Sequence, residues 1–291
     1  MSAFRAVGTP DRWRTLARAR AVLDVAAPHR TYRYGREHSC QVADLHLPRG
    51  GGPHPVLVTI HGGSWSVGYG RIVMRALAAD AARRGYAAWN IEYRRIGRDQ
   101  GGGWPVTFED VAAAVDHLAR LDAPLDLDRV AITGHSAGGQ LALWAAGRAG
   151  LAPTDPGAGP RIEPVAAVSA AGMNDLGGAW RDHPRGIVGT LLGGGPDDVP
   201  ERYAVADPIE RVPLALPVLL VHGTDDTTVS VRRSRDYAQA AHERGGHVDL
   251  VEIPGPAGAH RRHIDPTGES WNAITTWLAP RILAATPGRA A

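Results

Sequence analysis

The stretch Val130-Ala131-Ile132-Thr133-Gly134-His135-Ser136-Ala137-Gly138-Gly139 decides how this chain is read. Residues 130–133 are apolar or β-branched and read as a buried strand, and Ala137–Ala146 has the alanines and leucines of a buried helix. Between them lies the pattern G-x-S-x-G, with Ser136 at its centre. A chain that turns from strand to helix this tightly strains its central residue, and a Cβ at either flanking glycine would collide with the turn. The strain aims the serine Oγ outward. The helix behind it presents free N–H groups where negative charge would develop. With 36 glycines and nine serines, composition alone would produce the bare pattern in roughly one such chain in ten. The flanking strand and helix, rather than the pattern, make Ser136 the candidate nucleophile.

Outward from this turn, strands read at 42–47, 56–60, 87–93, 165–169, 218–222 and Val248–Ile253, and helices at 71–84, 108–121, 231–244 and 269–283. The alternation predicts an α/β fold: a mainly parallel, doubly wound sheet of about eight strands with helices on both faces, as one domain over residues 1–291. The continuous β-branched run 56–60 fits a strand buried on both faces. Residues 1–35 read as a peripheral segment with a short Arg-rich helix over 11–27. Residues 151–164, rich in Pro and Gly, read as a surface loop. The long Gly/Pro-rich insertion 172–213 is expected to hold local helices and to serve as a lid or cap, because structureless loops of that length are uncommon.

Composition narrows the function classes. At 44% hydrophobic and 21% charged residues the chain is globular rather than disordered. The lone cysteine, Cys40, excludes an internal disulfide framework and a cysteine-rich zinc site, and makes the cytoplasm the default compartment. All 32 basic residues are Arg, against 30 acidic residues, for a net charge of +2. They are scattered without aromatic interleaving, so no nucleic-acid face is expected. No apolar run is long enough to span a bilayer, and the Arg-studded stretch from Met1 to Ala27 lacks the apolar core of a signal peptide. There is no P-loop, no G-x-G-x-x-G opening a helix after a first strand, and no H-E-x-x-H. Gly101-Gly102-Gly103 lacks the Lys and Ser/Thr of a phosphate cradle. Neither a metal nor an organic cofactor is expected.

The partners of Ser136 are sought at the ends of other strands. His61-Gly62-Gly63-Ser64-Trp65 follows the buried strand 56–60, and its bare glycines let backbone N–H groups approach a substrate oxygen. Gly62 and Gly63, with the N–H of Ala137, are the candidate oxyanion hole, and Ser64 is the near alternative. His61 reads as a loop-orienting residue. The acid is expected just past the strand 218–222, where Asp225 and Asp226 compete; Asp226 is the first choice, and Asp175 is remoter. The base is expected in the loop after Val248–Ile253, where His260 is preferred to His263. Trp65 and Trp104 are candidate walls of the substrate pocket, with Trp180 of the insertion.

With these residues in place the chain resembles the α/β-hydrolases over nearly its whole length, from about Val42 to Leu283. Within them it resembles the esterase/lipase branch that contains kynurenine formamidases (arylformamidases) and related carboxylesterases. The resemblance rests on His61-Gly62-Gly63-Ser64-Trp65, Gly134-His135-Ser136-Ala137-Gly138, His222-Gly223-Thr224-Asp225-Asp226-Thr227-Thr228-Val229, and His260-Arg261-Arg262-His263-Ile264-Asp265-Pro266 with Trp271 after it. In that branch the catalytic His opens a segment like H-F-x-x-I-D-P, which favours His260, and the acid falls two residues after a Gly-x pair, which favours Asp226. Arg261 stands where the branch has an aromatic, Ser230 where Pro often follows the Val, and Ser64 where formamidases often carry an aromatic. The resemblance implies a Ser136–His260–Asp226 acyl-enzyme mechanism without a cofactor, acting on a small or aromatic carboxylic ester. The alternatives are an arylformamidase cleaving N-formylkynurenine, a peptidase of short peptides, and, remotely, a non-catalytic ligand-binding protein of the same fold.

Overall fold

The computed structural model describes residues 27–66 and 68–283. Eight strands form one sheet in the order β1-β2-β4-β3-β5-β6-β7-β8. They are β1 (Arg30–Arg33), β2 (Val42–His46), β3 (His54–Ile60), β4 (Ala87–Ile91), β5 (Leu125–His135), β6 (Ala166–Ala170), β7 (Val218–Gly223) and β8 (Val248–Ile253). β1 and β2 are antiparallel additions at one edge, and β4-β3-β5-β6-β7-β8 run parallel. This is the sheet expected from the alternation of elements. The missed strand, β1, reads Arg-Thr-Tyr-Arg and is mostly exposed, so no apolar alternation marks it. The expected helix over 11–27 lies outside the described residues.

Strand periodicity sorts side chains to two cores. Val56, Val58 and Ile60 of β3 and Val130 and Ile132 of β5 face one cluster, which includes Trp65, Trp89, Phe108 and Trp144. Leu57 and Ala131 face the other, with Met74, Tyr86, Trp271 and Leu278. The helices α2 (Val106–Asp116), α3 (Ala137–Ala146) and α7 (Arg232–Glu243) bury residues in the first cluster, and α1 (Arg75–Arg83) and α8 (Glu269–Leu278) in the second. Burial on both faces explains why the central strands read as mainly apolar runs without polar alternation.

Several boundaries move for local reasons. The expected helix 71–84 opens with a tighter 3₁₀ turn, Arg71–Met74, before α1. The expected helix 108–121 starts at Val106, directly after Pro105, and tightens into a 3₁₀ turn at His117–Arg120. The last helix leaves α geometry after Leu278 and widens over Ala279–Leu283, where Pro280 has no N–H to donate. Residues 151–164 contain neither helix nor strand.

The insertion holds the local helices expected of it: α4 (Leu176–Asp182), α5 (Ile187–Leu192) and α6 (Pro200–Ala206), then a 3₁₀ turn at Pro208–Arg211. Asp207 ties its end to its start by accepting the N–H groups of Leu176 and Gly177, each at 2.8 Å. The Arg233 guanidinium of α7 pairs with Asp175 and Asp182 and fastens the insertion to the body. Among the described residues, no helix is long and apolar enough to cross a membrane.

Candidate active site

Four loops at the C-terminal ends of parallel strands meet at one cleft, the place where open α/β sheets bind ligands. β5 delivers Ser136. Its φ of 57° and ψ of −122° are the strained turn that the motif requires. A Cβ on Gly134 would overlap the backbone of Gly138, and one on Gly138 would overlap the carbonyl oxygens of Ile60 and His61. Neither glycine can be replaced without moving the loop.

The loop after β3 faces Ser136 from across the cleft. A Cβ on Gly62 would approach the Ser136 Cβ to 2.9 Å, which measures how close this backbone lies to the nucleophile position. Ser64 and Trp65 hold positive φ of 54° and 51°, which a bulky residue such as Trp adopts only when its surroundings impose it. Those surroundings are visible. The Trp65 indole is buried and donates to Gln140 Oε1 at 3.0 Å, and its carbonyl accepts the Ile96 N–H at 2.6 Å. His61 is fully buried, stacked on Tyr93 at 4.3 Å, and its Nε2 lies 2.7 Å from Glu92 Oε1. Burial pushes the Glu92 carboxyl up. The hydrogen bond and charge of His61, with the Arg71 N–H and the Arg95 charge, outweigh burial and hold it below its ordinary value. Among the described residues, the N–H groups of Gly62, Gly63 and Ala137 have no hydrogen-bond acceptor. Ala137 opens α3, where an N–H has no acceptor within the helix.

β7 delivers Asp226, and the turn after β8 delivers His260. Asp226 Oδ2 accepts from His260 Nδ1 at 2.7 Å, while Oδ1 accepts the N–H groups of Thr228 and Val229 at 2.8 and 3.0 Å. Burial raises the Asp226 pKa, but the His260 hydrogen bond and the backbone donors more than offset it and keep the carboxyl ionised. An ionised Asp226 accepts the Nδ1–H of His260 and so turns Nε2, the other ring nitrogen, away from itself. Below the carboxylate, the fully buried His222 donates Nε2–H to the Val229 carbonyl at 2.9 Å and accepts the Ser234 hydroxyl at Nδ1, 2.7 Å away.

The competing candidates are engaged elsewhere. Asp225 is exposed and accepts the Gly255 N–H at 3.1 Å. Asp175 caps α4 by accepting from Gly178 at 2.6 Å. His263 is buried between Ser270 Oγ at 2.8 Å and the Gly258 carbonyl at 3.3 Å, and burial lowers its pKa to about 4. It therefore stays neutral and away from the cleft. Sequence reasoning overlooked His135. Its Nε2–H donates to the His260 carbonyl at 2.9 Å, and burial, then the neighbouring His260 and His263, lower its pKa to about 3. It stays neutral and holds the His260 turn against the elbow. Its place inside the motif, next to Ser136, was the available signal.

The cleft has a volume of about 260 Å³. Gly62, Gly63, Ser64, Tyr69 and Val73 line one side, and His135, Ser136, Thr228, His260, Arg261 and Ile264 the other. The expected tryptophan walls are corrected. Trp65 is a core residue, 1% exposed. Trp104 packs edge-on against Phe108 at 5.3 Å, outside the cleft. Trp180 lines a separate hollow with Gly189 and Gly195. No described residue of 172–213 lines the cleft. A wider hollow of about 470 Å³, between Ala145–Gly150 and the Pro213 turn, holds no nucleophile paired to a base.

The fold is that of the α/β-hydrolases, with helices on both faces of a mostly parallel eight-stranded sheet. Within it, the chain belongs to the BD-FAE family, whose model matches residues 43–240. It is 28% identical over 247 residues to Esterase LipC of Mycobacterium tuberculosis, covering 78% of this chain and 58% of that protein. It is 30% identical over 212 residues to Esterase LipQ of the same organism, covering 69% of this chain and 49% of that protein. The chain thus spans about half the length of these relatives. Among solved structures, a truncated carbohydrate esterase from gut microbiota superposes with a TM-score of 0.73 at 20% identity, covering 88% of this chain and 97% of that one. Esterase B from Lactobacillus Rhamnosis superposes with a TM-score of 0.73 at 21% identity, covering 93% and 91%.

Proposed function

We propose that this chain is a serine carboxylesterase in which Ser136 is the nucleophile, His260 the general base and acid, and Asp226 the acid that orients it. The observation that carries the reading is the convergence of three things on one cleft. These are a strained serine, a histidine bonded to a buried ionised carboxylate, and a row of unpaired N–H groups. His260 Nε2 takes the proton of Ser136 Oγ as that oxygen attacks the ester carbonyl. The N–H groups of Gly62, Gly63 and Ala137 receive the oxyanion, each such donor being worth ~3 kcal/mol in the transition state. His260 then protonates the departing alkoxide, and water repeats the sequence on the acyl-enzyme. Asp226 keeps the imidazole in one tautomer and stabilises its charged form.

The names of LipC and LipQ support ester hydrolysis over deformylation. So does the cleft, whose one aromatic side chain among the described residues, besides the histidines, is Tyr69. The test is paired initial rates of the protein and of Ser136→Ala on p-nitrophenyl acetate and on N-formylkynurenine. Ser136-dependent ester turnover, with deformylation slower, is expected. Faster deformylation would replace the ester reading with the formamidase one. Equal rates for Ser136→Ala in a clean preparation would remove both.

A further inference from the structure

Among the described residues lining the cleft, Arg261 is the one with a permanent charge, and it directly follows His260. Its guanidinium is exposed and among the described residues makes one hydrogen bond, from Nη2 to Tyr69 Oη at 3.0 Å. Among the described residues no carboxylate lies within ion-pairing distance of it. Every other charged group near this rim is committed. Arg262 pairs with Asp265 at 3.3 Å. Arg95 donates to the Tyr69 carbonyl and lies 3.8 Å from Glu92. Glu92 is itself engaged by His61, and Asp226 by His260. Tyr69 is therefore held at both ends by arginines, and its own O–H finds no acceptor among the described residues. The rim beside the base thus offers an unneutralised guanidinium with four unused N–H groups and a phenolic donor next to it. Val73 and Ile264 make the neighbouring wall apolar.

Two donors and an uncompensated positive charge suit an oxyanion such as a carboxylate, held bidentate or shared between Arg and Tyr. Resting on the esterase reading, we propose that Arg261, with Tyr69, determines specificity by binding a free carboxylate on the substrate. The preferred substrates are then half-esters and carboxylate-bearing esters, with an apolar body against Val73 and Ile264. Arg261 binds and orients; it transfers no proton. Because the site is open to solvent, the discrimination it provides is modest, about twofold to fivefold, and weakens with salt.

Two matched pairs test this. p-Nitrophenyl hydrogen glutarate against p-nitrophenyl valerate places the carboxylate on the acyl side. 4-Butyryloxybenzoate against phenyl butyrate places it on the alcohol side. The readout is the charged-to-neutral ratio of kcat/KM for the wild-type protein, R261Q and R261K, at low and high salt. The expected result is a ratio of about two to five in one pair, carried by KM. It should fall toward one in R261Q and in high salt, and return in part in R261K. The pair that shows it assigns the carboxylate to the acyl or the alcohol side. Wild-type turnover of the neutral esters with no charge preference in either pair, or a ratio unchanged in R261Q, would overturn the proposal and leave the esterase reading standing. Absence of Ser136-dependent turnover on all four esters would overturn the esterase reading, and this proposal with it.

Discussion

Asp225 and Asp226 are adjacent carboxylates, and the backbone alone separates their roles. One points to the surface and steadies Gly255; the other is enclosed with two N–H groups on one oxygen and His260 on the second. Asp226→Asn keeps the shape but presents a donor to His260 Nδ1 and selects the wrong tautomer. It should lower kcat by about 10⁴-fold in steady-state ester kinetics. Asp225→Asn, tested beside it, should keep most of the rate. Equal losses in the two would place the acid wrongly. The glycines make the same point in steric terms. Gly138→Ala forces a methyl group into the Ile60 and His61 carbonyls, and should cost about 1–3 kcal/mol in denaturant unfolding. Gly51→Ala, where nothing lies within 4 Å of an added Cβ, should not.

At the scale of elements, buried titrating groups link loops to stability. His135, His263 and His46 have pKa values lowered by burial to about 3, 4 and 4. The unfolded chain binds more protons than the folded one from those values up to about 6.5, so their contribution to stability rises with pH across that window. Asp207 acts in the opposite sense. Burial raises it to about 7 against the helix N–H groups it accepts, so the folded chain holds more protons than the unfolded one from about 4 to 7. Its contribution therefore falls as pH rises through the same range. Asp207→Asn should consequently steepen the increase in urea midpoint between pH 4.5 and 7; a shallower increase would contradict this assignment. The element scale is also where the sequence was most informative. The strands buried on both faces were legible because each is a mainly apolar run, and α3 because its alanines and leucines directly follow the elbow. β1 was not, because an exposed edge strand with Arg at both ends needs only backbone pairing with β2. The tryptophan walls failed for a related reason. Hydrophobicity shows that Trp65 and Trp104 are inward-facing, but not which hollow they border; Gln140, 75 residues away, fixes Trp65, and Phe108, one helical turn on, fixes Trp104.

Across the whole molecule, the topology gathers four separate loops. Ser136 leaves β5, Asp226 leaves β7, His260 leaves β8 and Gly62 leaves β3, all from the C-terminal ends of parallel strands. Their chain order was readable because each strand end is marked by glycines or a short polar run. The positioning contacts were less so. His135 reaches the His260 carbonyl across 125 residues of sequence, and no local pattern encodes a contact of that span. Arg261 was legible as an unusual residue, whereas its lack of a carboxylate partner appears only once the rim is assembled. The central claim is that this assembly makes one serine, Ser136, far more reactive than the other eight. The most direct measurement is peptide mapping by mass spectrometry after treatment of the native protein with a fluorophosphonate. The account predicts one adduct per chain, on Ser136, formed in step with loss of ester turnover and abolished by Asp226→Asn or His260→Ala on the same timescale. An adduct on another residue, or a folded protein that forms none, would contradict it.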